Sequence, residues 1–84
     1  MEWESERMTG IYECRGKEAI DYYAIIKDGE MFRLGLVDKV VDGVFIYRGI
    51  LTRARPKEYL IGLLENAYQT VTKVDKRLWV KVKE

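Results

Sequence analysis

The residues best equipped for chemistry in this chain are basic and aromatic. Arg48, Arg53, Arg55 and Lys57 crowd into one short segment around the lone proline, Pro56. Cations at that spacing can grip phosphates, and a helix opening at Pro56 would add backbone N–H donors. The plainer role for them is a solvated loop that balances acidic residues elsewhere. Further on, Trp79, Lys81 and Lys83 alternate onto one face of an expected strand. There an indole could stack a base while lysines follow a phosphodiester backbone. Lysines also guard sheet edges against unwanted pairing, which is the alternative role. Tyr22, Arg33 and Arg48 form a third aromatic-and-cation group, expected on one sheet face. The same three could instead pack across a dimer interface.

Other chemistries find little material. The chain has no histidine and a single cysteine, Cys14, so Ser–His and Cys–His nucleophile pairs are excluded and a conventional zinc site lacks ligands. No metal or cofactor is expected. Cys14 falls on an expected strand and reads as a small core residue, although Arg15 and Lys17 stand close enough to favour a thiolate. Glu13 and Asp21 could approach each other across a first hairpin, as paired carboxylates do in acid–base catalysis, or simply be surface charge. No enzymatic activity is expected from this set.

The elements that would carry these residues can be read from pattern. With 84 residues, 48% hydrophobic and 35% charged, the chain suits one domain over residues 1–84 with one modest core. Residues 1–8 either fray or add an edge segment. No apolar run nears the roughly 18 residues a membrane span requires, and the acidic start, Glu2, Glu4 and Glu6, does not resemble a secretion signal. A cytoplasmic location is expected. Asn66 and Gln69 are the only side-chain amides, a bias shared with heat-adapted proteins. The formal net charge of +1 divides into −4 over residues 1–30 and +5 over residues 31–84. Such asymmetry can mark a nucleic-acid-binding face or an internal charge complement.

Asp28-Gly29 and Asp42-Gly43 each interrupt strand-like sequence, the mark of two-residue type I′ hairpins. If both pairs occupy the turn positions, Ile25 opposes Phe32, Tyr23 opposes Leu34, Val41 opposes Val44, Val40 opposes Phe45 and Asp38 opposes Tyr47. One sheet face then gathers Tyr23, Ile25, Phe32, Leu34, Leu36, Val40, Phe45, Tyr47 and Leu51. The other carries Tyr22, Ala24, Ile26, Arg33, Val37, Arg48 and further aliphatic residues. After Pro56, an apolar stripe of Leu60, Leu63, Leu64, Ala67 and Val71 follows helical period. Leu78, Val80 and Val82 then alternate as a last strand. The fold class is α+β: an antiparallel meander of about four strands, one amphipathic helix on one sheet face, and a C-terminal strand, the sheet curved or rolled. One helix leaves the second apolar face to be covered by curling or by a second chain, hence an expected homodimer.

Four strands followed by a helix, with Pro56 and Glu58 at the helix start, is similar to the order in the single-stranded-DNA-binding transcriptional coactivator family. The resemblance implies a curved sheet that dimerises through its helix; the strand after the helix departs from it. Function therefore divides between a module for single-stranded DNA or RNA, drawing on Tyr22, Arg33, Arg48, Arg53, Arg55, Trp79, Lys81 and Lys83, and a homo-oligomeric interaction protein. A small-ligand module using a hollow in the roll is a third reading.

Overall fold

The computed structural model describes residues 8–41, 44–74 and 79–82. Strands β1 (Met8–Arg15), β2 (Ile20–Asp28), β3 (Met31–Val41) and β4 (Val44–Ile50) form the expected antiparallel meander, followed by helix α1 (Lys57–Ala67). Two further strands come after it, β5 (Thr70–Val74) and β6 (Trp79–Val82). The sheet order is β5-β1-β2-β3-β4-β6, with β5 antiparallel to β1 and β6 parallel to β4. The fold is α+β with an open sheet.

The first hairpin turns one residue later than the Asp-Gly pattern predicts. Asp28 pairs with Met31, so Gly29 and Glu30 make the turn, Ile25 opposes Leu34 and Tyr23 opposes Leu36. A type I′ turn would need positive φ at Asp28 as well as Gly29, whereas a II′ turn needs it only at its first central residue. Gly29 alone supplies it, at φ 65°. Opposing residues move by two positions, so the side chains keep their faces.

The β3–β4 pairing is as expected at Val41–Val44, and Leu36–Gly49 keeps the same register, but it differs between them. There Lys39 opposes Phe45, Asp38 opposes Ile46 and Val37 opposes Tyr47. Val40 on β3 and Arg48 on β4 are each left without an opposing residue, so two one-residue bulges cancel. The second adjoins Gly49 at φ 145°, a conformation side-chain-bearing residues rarely adopt. A one-residue shift turns every side chain to the other face. Phe45 and Tyr47 therefore leave the helix side and join Val37.

That exchange builds a core on each side of the sheet. On the helix side, Tyr12, Cys14, Ile25 and Leu34 meet Leu60 and Leu64, with Tyr23, Phe32, Ile61, Tyr68 and Val71 around them. On the other side Ile11, Ala24, Ile26, Val37 and Phe45 are buried, flanked by Tyr22, Tyr47 and Val74. The centre of the second face is thus buried, while Ile20, Met31 and Ile50 on the same face stay exposed. Neighbouring side chains close over Gly35 of β3. A Cβ placed there would stand 2.8 Å from both Ile26 Cδ1 and Tyr47 Cε1, the side chains that β2 and β4 send over it.

The helix is shorter than the apolar stripe suggests. It starts after Pro56, which occupies the N-cap position, and ends at Ala67, with Tyr68 extended (φ −127°, ψ 157°). Val71 satisfies helical spacing but belongs to Thr70–Val74, a stretch rich in β-branched residues that pairs with β1. The Gln69 N–H donates to the Arg15 carbonyl at 2.8 Å, which starts that pairing. Leu60, Ile61 and Leu64 face the sheet, whereas Leu63 is 39% exposed, Leu51 is 52% exposed and Ala67 is exposed. The helix packs Leu60, Ile61 and Leu64 on its own sheet and leaves Tyr59 and Leu63 exposed. Leu64→Ala should cost about 2–5 kcal/mol in urea-denaturation measurements. Leu63→Ala should stay within about 0.5 kcal/mol, and equal losses would contradict this placement of the helix.

Candidate nucleic-acid interface

The chain leaves β4 by running back along β3. The Leu51 N–H donates to the Leu34 carbonyl (2.7 Å), and Phe32 and Arg55 exchange both backbone bonds at 2.8 Å. Between them, the Thr52 hydroxyl accepts from the Leu34 N–H (3.0 Å) and donates to the Arg53 carbonyl (2.9 Å). A side chain thus replaces a missing backbone partner, and the backbone of Arg53 and Arg55 is held to the sheet rather than left in a free loop. Pro56 follows with φ −58° and directs the chain into α1 without a side-chain cap. The helix begins with Lys57, and Tyr59 stands 53% exposed, its ring 5.8 Å from the Arg55 guanidinium carbon. That distance is within cation–π range.

Among the described residues, the cations on the strands and at the helix start fall into two groups. Arg15, Arg33 and Arg48 each donate from Nε to a carboxylate, on Glu13 (2.8 Å), Asp28 (2.6 Å) and Asp38 (2.5 Å). Arg53, Arg55 and Lys57 make no ion pair among the described residues, and Lys17, Lys27 and Lys73 make none either. An anion meeting the first group must displace a carboxylate, and one meeting the second need not.

The expected Tyr22, Arg33 and Arg48 group does not assemble. Tyr22 lies in the second core, tilted at 58° against Phe45 with centroids 5.2 Å apart, and its hydroxyl donates to Glu13 at 2.8 Å. Arg33 shares that face but pairs across the sheet with Ile26, four residues along the ladder from Tyr22 and Val37. Arg48, at its bulge, reaches Asp38, which alternates to the opposite face from Val37. Only the backbone of Trp79 and Lys81 is described, in β6, and Lys83 lies outside the described residues. Tyr59 was not among the expected site residues. Its signal is Arg55 four positions before it, across a proline that fixes the helix start.

No family model, curated protein or solved structure matches this chain. What it can do must be read from its own groups. Among the described residues no cluster of His, Cys, Asp and Glu could hold a metal ion, and no helix is long and apolar enough to cross a membrane.

Glu13 and Asp21 do not form a carboxylate pair. Glu13 opposes Tyr22 and Asp21 opposes Cys14, so the two point to opposite faces. Asp21 accepts the Tyr68 hydroxyl proton at 2.6 Å. With that proton engaged, Tyr23 must donate to the Tyr68 oxygen, 2.5 Å away. Burial first, then the hydrogen bond to Asp21, push the Tyr68 hydroxyl well above its usual pKa. The chain of hydroxyls ties the end of the helix to β2.

Cys14 is fully buried, and burial first, then the Asp21 and Glu13 charges, raise its thiol from 9.0 to about 11. Arg15, turned to Glu13, does not counter this. In the folded protein Cys14 should resist a thiol reagent at neutral pH and react only as fast as the chain unfolds. Because the folded pKa is the higher one, its contribution to stability is complete below pH 9.0 and is lost as pH rises toward 11. Immediate labelling in native buffer would contradict both statements.

Proposed function

We propose that this protein is a small, non-catalytic module that binds single-stranded nucleic acid as a homo-oligomer, through the corner formed by Arg53, Arg55, Lys57 and Tyr59. The observation that carries the reading is the contrast in pairing. Cations beside the exposed tyrosine carry no ion pair among the described residues, whereas the strand arginines are matched with carboxylates. Exposed bases can neutralise phosphates and release their counterions, and an exposed aromatic face can stack a base of any identity. The pairing between Arg55 and Tyr59 places these two functions side by side. Uncapped N–H groups at the start of α1 add donors, while Glu58 in the same turn limits how many phosphates can approach. Trp79, Lys81 and Lys83 remain candidates to extend the track. A reduced thiol and a nucleic-acid ligand both suit the cytoplasm, and the amide-poor composition suits a heat-adapted host.

Exposed Leu51 and Leu63 near the same corner favour a second reading, a protein-docking surface. Salt dependence separates the two. Three phosphate contacts predict a slope of about −2 in log K against log [salt], at about −0.7 each for single strands. Arg55→Ala should flatten it by about 0.7, and Arg33→Ala or Arg48→Ala should barely change it. Tyr59→Ala should cost roughly 1–3 kcal/mol with a smaller effect on slope. Fluorescence anisotropy with a labelled oligonucleotide reads all of these. Absence of binding in low salt at micromolar protein would leave the protein-docking reading.

A further inference from the structure

Strand β5 closes one end of the sheet, with β1 on its inner side and no strand on its outer side among the described residues. Its sequence, Thr-Val-Thr-Lys-Val, lacks proline and has one charge. Natural edges are commonly protected by a lysine standing across them. Here Lys73 lies the other way. Its Cε sits 2.9 Å from where a Cβ on Gly10 would be, so its stem is laid inward across β1. The glycine makes the space that takes the lysine off the edge.

We propose that this edge pairs with β5 of a second copy of the chain, antiparallel and centred on Thr72. That register sets Thr72 against its own copy, Val71 against Lys73 and Thr70 against Val74. No like charges oppose each other, the threonines make a favourable cross-strand pair, and the two-fold asks one edge only to suit itself. The formal net charge of +1 gives two copies little mutual repulsion. Strand β5 has five residues, a short ladder, so the dimer is a weak one in the micromolar range. The surface is separate from the Arg53–Tyr59 corner. It supplies the contact for the homo-oligomer of that reading, while oligonucleotide binding at the corner is read independently by anisotropy.

Two variants test the pairing in the intact protein. Thr72 is exposed and opposes Glu13 within the chain. Thr72→Lys therefore suits its own fold, yet it sets two ammonium groups against each other across the two-fold. Light scattering at increasing concentration should show wild type approaching twice the chain mass. Thr72→Lys should dimerise severalfold more weakly, with its thermal melt unchanged at dilutions where wild type is also monomeric. Thr72→Cys, treated with the thiol oxidant diamide, should form a disulfide-linked dimer, since directly opposed strand residues lie within disulfide reach. Buried Cys14 stays silent, and Lys27→Cys, in the exposed part of β2, should remain monomeric under diamide. A strictly monomeric wild type would overturn the proposal, as would a monomer that binds an extended peptide along this edge. So would a dimer that Thr72→Lys leaves intact and Thr72→Cys fails to trap.

Discussion

Ile26 and Tyr47 meet over the backbone of Gly35, and much of the structure follows from that contact. Side chains from β2 and β4, separated by a whole strand, can close together only where the strand between them carries none. The closure bends the sheet until Ile11, Ala24, Val37 and Phe45 are sealed on the side away from the helix. An 84-residue chain with one helix would otherwise leave that face open to water. The paired bulges at Val40 and Arg48 serve the same end, because they turn Phe45 and Tyr47 toward the face that lacks a helix.

With a core on both faces of the sheet, the proposed binding groups lie outside it. Segment 51–55 follows the edge of β3 and uses Thr52 as a backbone surrogate, so Arg53 and Arg55 arrive at the helix start in fixed places. Charge pairing then distinguishes residues of the same type. Arginines on the strands sit beside carboxylates, and exposed pairs of this kind add little stability while removing a free cation from the surface. Arg53 and Arg55, past the end of β4, have no such neighbour among the described residues.

The meander, the helix start and the helix-side core are legible in the sequence, because turn glycines, Pro56 and alternation act over a few residues. The bulges are not, because a local pattern cannot register a shift that cancels within a few residues. Faces assigned by strict alternation therefore misplaced Phe45 and Tyr47. Val71 fits two periods at once, and only pairing with β1 decides for the strand. The candidate site was half legible: Arg53 and Arg55 stand out by type, but the pairing of Arg33 and Arg48 with carboxylates depends on which residues the folded sheet places beside them. Tyr59 is hidden inside an apolar run, since exposure depends on which helical face the sheet covers.

The most direct test of this account is the unfolding free energy of Gly35→Ala. In an open strand, replacing glycine with alanine stabilises by about 0.4–1 kcal/mol, through loss of unfolded-state freedom. Here the new methyl would stand 2.8 Å from Ile26 and Tyr47, closer than side-chain carbons pack. The account predicts a loss of about 1–3 kcal/mol, the cost of overpacking a closed core. An unchanged or raised stability would mean that β2 and β4 do not close over Gly35 and that the second core is not sealed by the curl.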